Sequence, residues 1–159
     1  MKGFLKKYNI SLENYEKTGL DWGKLMVIKK DYEEYCLELE PPAKYLIERF
    51  HKAINVHSVR YRIKDPERLV AKIIRKKIDE PEREITFENY KTEVTDLIGI
   101  RILHLFKEDW IQINEFITKN WELYEDATAY HREGDSAEYI KYFEKYNCKV
   151  KVHPFGYRD

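Results

Sequence analysis

From Asp21 to about Ile54 apolar side chains recur at helical spacing: Leu25, Ile28, Tyr32, Tyr35 and Leu39, then Tyr45, Leu46, Phe50 and Ile54. The consecutive prolines Pro41 and Pro42 interrupt this pattern, so a break or a fresh helix start is expected there. At Val56 the period changes to two. His57, Val59, Tyr61 and Ile63 alternate with Ser58, Arg60, Arg62 and Lys64 through Lys64, which predicts a strand with three cations in register on one face. Asp65-Pro66 then reads as a helix start, with Asp65 as N-cap and Pro66 in the first helical position. Leu69, Val70, Ile73 and Ile74 form its apolar stripe, and Arg68, Lys72 and Arg75 or Lys76 its polar side.

The charged stretch from Asp79 to Thr92 carries Pro81 and reads as a loop with room for a short helix. Leu97 to Leu105 is a nearly continuous apolar run, the pattern of a central strand covered on both faces. A helix is expected over Glu108–Asn120, with Trp110, Ile113, Ile117 and Trp121 on one side, and a further strand within 121–130. Asp135 and Glu138 suggest a capping box for a helix through Tyr146, whose apolar face is Tyr139, Ile140, Phe143 and Tyr146. Cys148 to His153 alternates again, placing Val150 and Val152 inward and Lys149, Lys151 and His153 outward. The resulting α+β order implies a mixed β-sheet flanked by helices, in one domain overall: an N-terminal helical segment, 1–54, packed on a core formed by 55–159.

Composition narrows the function classes. Lys plus Arg equal Asp plus Glu at 29 each, so the chain is not a globally basic nucleic-acid binder, although local basic faces remain open. No apolar run has bilayer-spanning length, and the N-terminus lacks the apolar stretch of a secretion signal. Cys36 and Cys148 stand far apart with no metal-ligand spacing, which points to a reducing cytoplasm. The thirteen tyrosines read as half-buried packing residues with wet hydroxyls.

Candidate chemistry lies where cations gather. Arg62 and Lys64 end the first strand beside the N-terminus of the next helix, which carries Lys72, and such a place suits polyphosphate. A solvated basic strand face is the alternative reading. Asp96 stands at the mouth of the apolar strand and Arg101 lies within it. An Asp96–Arg101 or Glu93–Arg101 ion pair would only shape the core. The functional reading has Asp96 holding Mg²⁺ against phosphates while the arginine binds phosphate or stacks on a base. The terminal Gly156-Tyr157-Arg158 reads either as a surface turn or as a turn that presents a ring for base stacking.

In this order, Arg62-x-Lys64, Lys72, Asp96-Leu97-x-Gly99-x-Arg101 and Gly156-Tyr157-Arg158 resemble the synthetase domain of the RelA/SpoT family, over Val56 to the last residue. The leading helices resemble the helical N-terminal layer of small alarmone synthetases and their toxin relatives. The resemblance implies a fold related to the polymerase-beta-like nucleotidyltransferases and a GTP diphosphokinase activity. In that reaction pyrophosphate passes from ATP to the 3′-hydroxyl of GDP or GTP, giving (p)ppGpp and AMP. It further implies that Arg62 borders the adenine, that Lys64 and Lys72 hold ATP phosphates, and that Arg101 braces the strand or contacts ATP. Asp96 would be the catalytic, Mg²⁺-binding carboxylate. Tyr157 would stack on guanine, and Lys149, Lys151 and His153 would form a basic surface for the acceptor phosphates.

The family pattern continues with a Ser, a His and a later glutamate in an E-x-Q strand, read as the base for the 3′-hydroxyl. Here Asp159 stands where Ser is usual and the sequence stops, so a C-terminally truncated chain is expected. Loss of such a base costs about 10²–10⁴-fold in rate. The missing strand would leave a sheet edge open to self-association or to a protein partner such as an antitoxin. Arg68 replaces a small hydroxyl residue often found four positions before the phosphate-binding lysine. Two rival readings follow: a toxic relative that pyrophosphorylates adenosine nucleotides or the tRNA 3′ end, and a catalytically inactive nucleotide- or partner-binding module.

Overall fold

A computed structural model of the chain describes residues 1–106 and 108–153. Three helices open the fold: α1 (Lys2–Lys7), α2 (Leu12–Lys17) and α3 (Trp22–His51). Ser11 caps α2 by accepting from the Asn14 N–H, and Asp21 caps α3 by accepting from the Lys24 N–H. The expected interruption of α3 does not occur, and the helix runs through Pro41 and Pro42. Both prolines are exposed, as are Leu37 and Glu38 one turn earlier, so the carbonyls that lose their helical donors face water. The opposite side of α3 stays anchored by buried Leu39, Ala43 and Phe50.

Strand β1 (Ser58–Ile63) and helix α4 (Pro66–Asp79) form where the sequence places them. Asp65 accepts from the Arg68 N–H at 3.0 Å, and Leu69, Val70, Ile73 and Ile74 are fully buried. After the short helix α5 (Tyr90–Glu93), strand β2 (Ile98–Leu103) pairs antiparallel with β1, with Arg62 opposite Gly99 and Arg60 opposite Arg101. These two strands make a two-stranded sheet. One face, carrying Val59, Tyr61 and Ile63 with Ile98, Ile100 and Ile102, is half-buried, and α3 contacts both strands. The other face carries Arg60, Arg62 and Arg101, all exposed. The strand expected to be covered on both faces is therefore covered on one, since Arg101 and Leu103 on its other face are exposed. The core joins α1 to α5 through side chains such as Leu5, Tyr15, Leu25, Tyr32, Ile73 and Tyr90.

The chain divides into two compact units, residues 1–113 and 114–159, with α6 (Asp109–Asn120) running through the division. In the second unit β3 (Thr128–His131) pairs parallel with β4 (Lys149–Val152), and α7 (Ala137–Glu144) is the crossover between them. Asp135 lies ahead of the helix start, and its carboxylate accepts from the Arg132 N–H at 2.9 Å, closing the preceding turn. Val150 is half-buried as expected, but Val152 is exposed. Among the described residues the architecture is α+β with two small sheets and flanking helices, one sheet antiparallel and one parallel, in place of the single mixed sheet expected. No helix among the described residues is long and apolar enough to cross a membrane.

Candidate functional site

The register of β1 and β2 builds the site. Beyond the last paired residues, the Lys64 N–H donates to the Leu97 carbonyl at 2.8 Å, which draws Asp96 beside the Lys64 side chain. Two turns into α4 from its cap, Lys72 projects to the same place. Asp96 then bridges the two ammonium groups: Lys64 Nζ lies 3.0 Å from Oδ2 and Lys72 Nζ lies 2.9 Å from Oδ1. Lys64 is the most enclosed of the three, its side chain 13 % exposed, whereas the Asp96 side chain is 46 % exposed. Burial acts to raise the Asp96 pKa, but hydrogen bonds and charge from Lys72 and Lys64 outweigh it and hold the carboxyl below its ordinary range. Neither ion pair considered from the sequence forms in this way. Asp96 is held by lysines, Glu93 pairs with Arg83 at 2.7 Å, and Arg101 lies exposed opposite Arg60.

Arg62 stands two residues before Lys64 on the same strand face. Its side chain lies across Gly99, where a Cβ would meet Arg62 Nε at 3.2 Å and Cγ at 3.3 Å. A glycine at this point lets the guanidinium lie over β2.

A cleft of about 710 Å³ opens from this cluster along α4. Lys64, Arg68, Lys72, Arg75, Lys76 and Lys7 line it, with Asp79 the one carboxylate among its lining residues. Arg68, Lys72, Arg75, Lys76 and Asp79 share one helical face, and the end of α1 with Tyr8 and Asn9 forms part of the wall. Arg75 donates to the Tyr8 carbonyl at 2.8 Å and Lys76 to the Glu93 carbonyl at 2.9 Å, so both are fixed by backbone. Such a concave, strongly cationic surface suits a polyphosphate. The α4 cations were legible as a polar helix face. Lys7, Tyr8 and Asn9 were not, because nothing local in the first ten residues signals contact with a helix some sixty residues later.

The residues assigned to the acceptor side lie in the second unit. Lys149 pairs with Asp126 at 3.1 Å, Lys151 is exposed, and the His153 ring meets the Tyr130 ring edge-on. Tyr157, with the rest of the Gly156-Tyr157-Arg158 turn, lies outside the described residues.

Residues 61–154 match the model of the region found in RelA / SpoT proteins, which is more than half of the chain. The chain belongs to the RelA/SpoT family. Asp96, Lys64 and Lys72 all fall inside the matched region of this RelA/SpoT chain, whereas α1 to α3 precede it. No curated protein and no solved structure matches the chain.

Proposed function

We propose that this RelA/SpoT chain transfers a pyrophosphoryl group from ATP to the 3′-hydroxyl of GDP or GTP on a nucleotidyltransferase-like scaffold, releasing AMP. The observation that carries the reading is the Lys64–Asp96–Lys72 bridge at the mouth of a cationic cleft. In that arrangement a carboxylate occupies two ammonium groups that a triphosphate would take over. Lys64 and Lys72 turn from Asp96 to the phosphates, and Arg62, lying across Gly99, borders the adenine. Arg101, on the same sheet face, contacts ATP from β2.

The released Asp96 would hold Mg²⁺. The fit is that of a metal arriving with its nucleotide: among the described residues no group of three or more metal-binding side chains exists, and Mg²⁺ is commonly held by one or two carboxylates plus substrate phosphates. Bound there, the metal supplies neutralisation of charge on the phosphates. Phosphoryl-type transfer asks chiefly for alignment and charge neutralisation, and the residues of the first unit supply both for the donor. Tyr157 on guanine and Lys149, Lys151 and His153 on acceptor phosphates complete the proposal.

The test is to incubate the protein with Mg²⁺ and ATP labelled in the β-phosphate, offering GDP, GTP or tRNA. Label on the guanine nucleotide with release of AMP is expected. Label only on tRNA would assign a different acceptor, and no transfer to any acceptor would refute the reading.

A further inference from the structure

The cleft extends past the Asp96 cluster, and its two ends differ in charge. One end carries Asp79, which repels an anion, while Arg68 stands eleven residues earlier on the same face of α4, about 16 Å along the helix axis. An anion that reaches beyond Lys72 is therefore drawn toward Arg68. The Arg68 guanidinium makes no hydrogen bond or ion pair among the described residues, and only its backbone N–H is engaged, by Asp65. Beside it, Lys7 of α1 reaches Glu67, and Tyr8 also donates its hydroxyl to Glu67 at 3.0 Å. The bond from Arg75 to the Tyr8 carbonyl fixes this end of α1 against α4. Glu67 therefore stands to Lys7 as Asp96 stands to Lys64 and Lys72: a carboxylate that occupies a cleft-lining cation.

We propose that Lys7 and Arg68 form a second phosphate subsite in this cleft, which takes the terminal phosphate of a nucleoside triphosphate and makes the chain favour triphosphates over diphosphates. This rests on the reading of the cleft as a nucleotide site. Lys7 exchanges Glu67 for the phosphate, and Arg68 offers its fork of N–H donors without losing a partner. The N-terminal helix, which lies outside the region matched by the family model, thereby becomes a wall of the binding site.

Calorimetry on the full chain tests this with a non-hydrolysable ATP analogue, an ADP analogue and inorganic tripolyphosphate. Arg68→Ala and Lys7→Ala should each weaken the ATP analogue by about tenfold and leave the ADP analogue within about twofold. Glu67→Gln, which frees Lys7, should tighten the ATP analogue. Equal losses for both analogues, or no loss, in the Arg68 and Lys7 variants would overturn the subsite while leaving the nucleotide reading in place. If the ATP analogue fails to bind but tripolyphosphate binds in an Arg68-dependent way, the nucleotide reading falls and the anion subsite stands. If neither binds, both fall.

Discussion

Asp96 is held by two lysines and lies nearly half exposed, which gives it a defined pH signature. Its folded pKa is below the ordinary 3.8, so the ion pairs stabilise the fold above that value, and the contribution is lost as pH falls through the depressed pKa. Exposure keeps the contribution under about 1 kcal/mol. Asp96→Asn should therefore lower stability at neutral pH by under about 1 kcal/mol and converge on the parent chain as pH falls below about 4, as followed by denaturation across pH. Gly99 makes a second prediction. A Cβ there meets the flexible Arg62 side chain, so Gly99→Ala should displace Arg62 and weaken ATP-analogue binding, with a thermal midpoint close to that of the parent chain. The sequence pattern singled out Asp96, Lys64 and Lys72 but gave the carboxylate either Arg101 or Mg²⁺ as its partner. The actual partners follow from the Lys64–Leu97 backbone bond, and strand register is not written in either strand alone.

Among the elements, α4 both carries the cations and anchors them. Its buried stripe of Leu69, Val70, Ile73 and Ile74 was visible as helical periodicity, and Asp65-Pro66 marked its start. Ile73→Ala should cost about 2–5 kcal/mol in chemical denaturation, because the site is fully enclosed and a cavity would remain. In α3 local propensity misleads. Pro41 and Pro42 argue for a break, but anchoring on either side of them keeps the helix continuous. Replacing either proline with Ala should stabilise the chain by about 1–3 kcal/mol, measured as a raised denaturation midpoint. The apolar run of β2 likewise suggested cover on both faces. Its exposed Leu103 and Arg101 show that an apolar sequence alone does not decide how many neighbours a strand has.

For the molecule as a whole, charge is balanced in number yet gathered in space. Zero formal charge coexists with six cations around one cleft, and periodicity placed those of α4 on one face while giving no sign that α1 would add Lys7. Binding of an anionic ligand there should weaken as salt rises, because screening over about 10 Å at 0.1 M reaches groups this exposed. The most direct measurement is calorimetry of a non-hydrolysable ATP analogue, with and without Mg²⁺, against the parent chain, Lys72→Ala and Asp96→Asn. Mg²⁺ should tighten binding to the parent, this gain should disappear in Asp96→Asn, and Lys72→Ala should weaken binding in both conditions. Equal affinity across all three chains, indifferent to Mg²⁺, would contradict a shared phosphate and metal site at Asp96.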